Sequence, residues 1–242
     1  MLSIESLKEF TKRFQTTEKN VVREYIQHLF LSSLYKIPES EKLLFKGGTA
    51  LRIIFGSPRF SEDLDFTGES IDHHKVIDEL FANTLSEIEK QGIKTDLKEA
   101  KLTTGGYLGV IRYQLYDFIE DMKFEVSLRK NKGLTKEITS IINDYTPPYT
   151  TVCLSRKEIV REKMIALLLR EKPRDYYDLY FFLRHPDLHK FVEKTMLKEV
   201  LESLEKEKMN FKEELSVLLP ISHWMILKDF ESNLIREIKR FV

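Results

Sequence analysis

The stretch LLFKGGTALRIIFGSPRFSEDLDF, Leu43 to Phe66, decides how the rest of the chain is read. LLFK has the apolar run of a short buried strand and ends at the glycine pair Gly47–Gly48. TALRIIF reads as a short helix opened by Thr49, and DLDFTG as a second strand stopped by Gly68. Residues two apart on a strand share a face, so Asp63 and Asp65 project together while Leu64 and Phe66 turn to the core. Two carboxylates on one face repel unless a cation lies between them. A hard divalent ion such as Mg²⁺ with oxygen ligands is the usual solution. An isolated D-x-D is more often a solvated acidic strand end. Here a possible phosphate cradle precedes it: backbone N–H groups at a helix start bind phosphate, and glycines permit close approach. Strand, glycine turn, helix, Arg59, Ser61 and strand-borne aspartates form a composite that chance reaches far less readily.

Outward from this stretch, residues 20–36 carry apolar residues at helical spacing, and residues 71–91 carry a second such stripe. Segments 93–102, 107–117 and 121–129 have strand character, with the cleanest alternation in YLGVIRYQLY and MKFEVSLR. Pro147 and Pro148 mark a change of regime. Beyond them the pattern predicts helices over 155–171, 174–184, 187–207, 210–219 and 222–242, the first two broken at Pro173. The fold class expected is α+β: a mixed or antiparallel sheet with helices, plus a helical C-terminal half. We place the core, with an N-terminal helix, at 1–150 and a helical domain contributing to the active-site cleft at 151–242.

Composition narrows the function. Of 242 residues 42% are hydrophobic, which supports a packed core, and 39 basic residues balance 39 acidic ones, so no global field points to nucleic acid. The single cysteine, Cys153, excludes a disulfide framework and a cysteine zinc cluster, and fits a reducing cytoplasm. The charged, amphipathic N-terminus MLSIESLKEF has no secretory apolar core, and no apolar run reaches the length of a membrane span. A cytoplasmic protein is expected.

GGTAL followed by RFSEDLDF resembles the nucleotidyltransferase superfamily, whose core is shared with DNA polymerase beta. Within it the sequence is similar to the AbiEii/AbiGii abortive-infection toxin group. KFEVSLR (Lys123–Arg129), REKMIALLLR (Arg161–Arg170) and RDYYDL (Arg174–Leu179) look like that family's second, third and fourth motifs, in order. The resemblance implies an enzyme transferring NMP from an NTP to an acceptor hydroxyl, with Mg²⁺ or Mn²⁺. It implies an RNA acceptor, with tRNA 3′ ends expected, and a cognate antitoxin. Asp63, Asp65 and Glu125 would hold metal; Gly47, Gly48, Thr49, Arg59 and Ser61 would cradle the nucleotide. Lys163 would neutralise the triphosphate, and Asp175 would be a functional carboxylate, orienting Lys163 or the base. The family more usually has aspartate where Glu125 stands.

Each assignment has a plainer reading beside it. Alternation alone puts Glu125 on a polar strand face. Lys163 shares a helix stripe with Arg170, and helix lysines are mostly solvated. Asp175 follows Pro173 and Arg174, where an acidic residue complements the helix dipole; Asp178 has a similar claim with a stronger structural explanation. Tyr176 and Tyr177 could stack on a base, though such residues more often pack in a core. Segment 156–174 carries Arg156, Lys157, Arg161, Lys163, Arg170, Lys172 and Arg174, either a phosphate-contacting surface or an ordinary charged face. The histidines show no metal spacing, and Trp224 reads as core. Competing functions are transfer to a protein hydroxyl or small molecule, a binding module with a degenerate site, and a two-metal nuclease.

Overall fold

A computed structural model describes residues 1–129, 133–206 and 209–242, apart from the side chains of residues 205 and 206. The chain forms two compact units. The first comprises residues 1–56 and 60–154, the second residues 57–59 and 155–242.

The first unit is built on a seven-stranded mixed sheet. Its strands are β1 (Leu43–Lys46), β2 (Leu64–Gly68), β3 (Lys94–Thr103), β4 (Gly106–Leu115), β5 (Phe118–Ser127), β6 (Lys136–Ile141) and β7 (Tyr149–Leu154), in the order β3-β4-β5-β2-β1-β7-β6. β2 pairs with β5 in parallel and with β1 in antiparallel fashion; β1 pairs with β7 in parallel. The helices are α1 (Ile4–Phe14), α2 (Glu18–Leu34), α3 (Gly47–Phe55) and α4 (Lys75–Glu89). The expected elements up to residue 129 are all present. The sequence reading missed β6 and β7, because Pro147–Pro148 closes the link between two strands instead of ending the sheet. The Thr150–Val152 run, rich in β-branched residues, was the available signal.

α2 is the axis of this unit. Its start is capped by Thr17 Oγ1, which accepts from Asn20 N. The sequence pattern predicts one apolar stripe, yet 15 of its 17 residues are buried, including Arg23, Glu24, Gln27 and His28. It packs against α1, α4 and β7, so its polar side chains are enclosed as well. A cluster of phenylalanines fixes the sheet centre. Phe66 of β2 lies 4.8 Å from Phe124 of β5 and 5.5 Å from Phe45 of β1, centroid to centroid. Phe30 of α2 and Phe81 of α4 close over Phe124 at 5.3 and 5.1 Å. A one-residue slip of β2 or β5 would turn these rings out of the core, so packing locks the register. Cys153 is buried in β7.

The second unit holds α5 (Arg156–Arg170), α6 (Pro173–Arg184), α7 (Lys194–Lys206), α8 (Phe211–Leu218), α9 (Trp224–Leu227) and α10 (Phe230–Ile238). Pro173 occupies the first turn of α6, where its missing N–H costs nothing. Tyr176 and Tyr177 are core residues here, packing on Phe211 at 5.7 Å and Phe230 at 5.9 Å. Trp224, expected in the core, is 44% exposed at the start of α9, and the expected long helix 222–242 is broken into α9 and α10. The expected helix 187–207 begins as a 3₁₀ turn at His189–Phe191 before α7, and its residue 207 lies outside the described residues.

Candidate active site

β1 runs into α3 through Gly47, whose φ of +81° is open only to glycine at low cost. A Cβ there would stand 2.0 Å from Asp65 Oδ2. The glycine thus admits the Asp65 carboxylate to the start of α3, where the helix dipole favours negative charge. The N-cap residue, Lys46, makes no side-chain cap bond there, and backbone N–H groups of a first helical turn are donors suited to a phosphate. Thr49 does not open the helix, as the sequence reading expected; it is the third residue, and its hydroxyl donates to the carbonyl of Asp63.

Asp65, the second residue of β2, sits between Lys46 of β1 and Glu125 of β5, its register partners on either side. Asp63 was expected on the same strand. It instead occupies a bend one residue before β2, and its Oδ1 accepts from the backbone N–H of Lys123 at 3.3 Å. That bond takes the place of a ladder bond just beyond the first β2–β5 register pair, Leu64 with Phe124. Glu125 is exposed on the polar face, while Phe124 and Val126 are buried.

Three carboxylates from adjoining backbone positions are a hard-oxygen donor set suited to a divalent cation, and the Gly47 cradle fits them to it. Among the described residues no three His, Cys, Asp or Glu side chains stand gathered as a metal cluster. A cavity of about 440 Å³ has Asp63 on its wall. Lys19, Arg23 and Arg112 on its wall pair with Glu120 at 2.7 Å, Glu62 at 3.4 Å and Asp121 at 2.8 Å, and Lys123 balances Asp63, so the lining carries no net charge.

The second unit holds a buried charge cluster. Arg59 donates to Asp178 through Nε to Oδ1 at 2.9 Å and through a terminal nitrogen to Oδ2 at 3.0 Å. Lys163 Nζ donates to the same Oδ2 at 2.7 Å. Burial pushes the Asp178 carboxyl up, but Arg59 and then Lys163 outweigh it and hold it below the usual range. The sequence reading weighed Asp175 as the partner of Lys163. Asp178 takes that place, one helical turn later, while Asp175 accepts from Arg170 at 2.8 Å. The other Asp175 oxygen is buried without a hydrogen-bond partner. A signal for Asp178 existed: an arginine that becomes buried needs a counter-charge. Arg59 and Ser61, read together as one cradle, fall in different units. In segment 156–174, Arg161, Lys163, Arg170 and Arg174 each face a carboxylate, which weakens the basic surface the composition suggested.

A glycine-turn helix start beside strand-borne carboxylates is the arrangement of a nucleotidyltransferase. The chain belongs to the nucleotidyl transferase AbiEii toxin family of type IV toxin–antitoxin systems, whose family model matches residues 29–240. It is therefore an enzyme of the nucleotidyltransferase class, and the family implies an NTP substrate, a divalent metal and a cognate antitoxin. Among solved structures the fold is similar to JHP933 from Helicobacter pylori, with a TM-score of 0.63 at 20% identity over 93% of this chain and 92% of that one. It is similar also to MenT4, a nucleotidyltransferase toxin from Mycobacterium tuberculosis H37Rv, with a TM-score of 0.63 at 18% identity over 91% and 83%. No curated protein matches the chain. Among the described residues no helix is long and apolar enough to cross a membrane.

Proposed function

We propose that this toxin transfers NMP from an NTP to an RNA acceptor, the 3′ end of tRNA, using Mg²⁺. The observation that carries the reading is the register pairing of Asp65 with Glu125 beside the glycine start of α3. Asp63, Asp65 and Glu125 are the metal ligands in this reading. A divalent cation held there supplies charge neutralisation and activates the acceptor hydroxyl. Gly47, Gly48 and Thr49 offer backbone N–H groups to the phosphates. The acceptor oxygen forms a bond to the α-phosphorus, the bond from that phosphorus to the β-phosphate oxygen breaks, and pyrophosphate leaves. The hydroxyl proton passes to a carboxylate, for which Glu125, exposed and off the Asp65–Gly47 contact, is our choice. Asp178 takes one donor of the three on Lys163, and we assign this ammonium to the leaving pyrophosphate. Arg59, both sides of its fork on Asp178, supports Lys163 in this scheme instead of binding nucleotide. Ser61 contributes its backbone to the segment before Asp63, and Asp175 stabilises the α6 start.

The test is incubation of the folded protein with tRNA, Mg²⁺ and each labelled NTP in turn. Label on RNA, lost in Asp65→Asn, supports the reading. Label on a protein band would move the acceptor to a protein hydroxyl, and no transfer at all would overturn the proposal.

A further inference from the structure

Three successive carbonyls lead into β2, and each is held by a side chain. Gln27, midway along α2 and 1% exposed, donates from Nε2 to the carbonyl of Ser61 at 3.0 Å and to that of Glu62 at 3.2 Å. Thr49 takes the third, on Asp63. An amide nitrogen has two N–H donors, so both are used. Around Gln27 on α2, Tyr25, Ile26, Leu29 and Phe30 are core. An amide in such surroundings is costly unless fully bonded, and here its bonds all go to one short segment. One turn earlier, Glu24 holds Arg52 at 2.6 Å, and the Arg52 guanidinium lies 3.9 Å over the Phe60 ring. α2 therefore grips this segment twice, at Phe60 through Arg52 and at Ser61–Glu62 through Gln27.

The two aspartates differ in what holds them. Asp65 is fixed by strands on both sides. Asp63 precedes the ladder and lies outside its register pairs. Its carboxylate meets the Lys123 backbone N–H, and the backbone leading to it is held by the side chains of Gln27 and Thr49.

We propose that Gln27 is a positioning residue: its amide sets the backbone path of Ser61 to Asp63 and so places the Asp63 carboxylate. This rests on the reading of Asp63 as a metal ligand, and the test separates the two. Gln27→Met keeps the length and removes both donors. Gln27→Glu keeps the shape and, when ionised, sets an acceptor against two acceptors. The measurements are amide hydrogen exchange over residues 60–65, Mn²⁺ binding by titration, and kcat and KM for the nucleotide. In Gln27→Met, exchange over 60–65 accelerates while α4 keeps wild-type protection. Mn²⁺ affinity and kcat each fall by about 10- to 100-fold, and KM moves less than about threefold. In Gln27→Glu, activity relative to wild type rises as the pH falls from about 8 to about 6, since burial raises the carboxyl and its protonated form again donates. Wild-type exchange and wild-type Mn²⁺ affinity in folded Gln27→Met would overturn the proposal. Should Gln27→Met not fold, the same measurements on Gln27→Glu decide. A wild-type protein that binds no Mn²⁺ would sink the reading of Asp63 as a ligand, while the exchange comparison still decides whether Gln27 sets the path.

Discussion

Gly47 and Asp65 touch so closely that a single methyl group would not fit between them: the Cβ of an alanine at position 47 would stand 2.0 Å from Asp65 Oδ2. Gly47→Ala therefore acts twice. The left-handed backbone costs about 1 kcal/mol or more for a residue with a side chain, visible as a lower urea midpoint. Asp65 must also turn aside, and nucleotidyl transfer falls by about 100-fold or more. Wild-type transfer in the variant would contradict the placement of Asp65.

Glu125 is exposed, so Glu125→Gln should leave metal-free stability within about 0.5 kcal/mol of wild type. A protein that binds a cation in its folded state is stabilised by it. The rise in Tm on adding Mg²⁺ should therefore shrink in Glu125→Gln and not in the exposed control Glu202→Gln. Equal rises in both would remove Glu125 from the ligand set.

Asp178 compensates two cations at once, one of them 97% buried judged by the 3% exposure of Arg59. Asp178→Asn leaves both without their counter-charge and costs about 3–5 kcal/mol in denaturant unfolding. Lys163→Met spares the bidentate Arg59 pair and costs less. Because the folded carboxyl titrates below its ordinary value of 3.8, its contribution is intact at neutral pH. It is lost as pH falls from about 4 through the lower folded value. Wild-type stability should drop across that range by more than that of Asp178→Asn.

His28 gives the opposite end of the acid profile. It is buried beside Tyr149, whose hydroxyl lies 2.8 Å from Nδ1. Burial first, opposed by Glu24 and aided by Arg52, brings its pKa from 6.5 to about 4. The unfolded chain then takes up a proton before the folded one does, so stability declines as pH falls from 6.5 towards 4. The full span corresponds to about 3 kcal/mol. His28→Gln should flatten the curve between those limits, as read by unfolding free energy against pH.

Much of this was legible in the sequence because it rests on short-range periodicity. The alternation in LDF and KFEVS announces which residues face the core, and Phe66 and Phe124 obey it. It cannot announce which strands lie side by side. That Asp65 meets Glu125, 60 positions later, follows from a phenylalanine cluster assembled from five elements. Asp178 was undervalued for a related reason. A helix pattern shows a carboxylate and its neighbours one turn away, but not Arg59, 119 residues distant. Gln27 was invisible, because a glutamine within a stripe of core residues looks like a solvated gap in that stripe. β6 and β7 were lost to the proline pair, which punctuates a strand connection as readily as a domain edge.

The parallel pairing of β2 with β5 has a consequence for the cell that makes this toxin. Asp63 and Asp65 leave the ribosome long before the strand that carries Glu125, and β7, the neighbour of β1, comes later still. Contacts so distant along the chain form only after the intervening segments exist. A nascent or truncated product ending before β5 has the aspartates without their partner. If Glu125 is the third metal ligand, translation itself acts as a safety catch, and harm begins only once more than half of the polypeptide has been made.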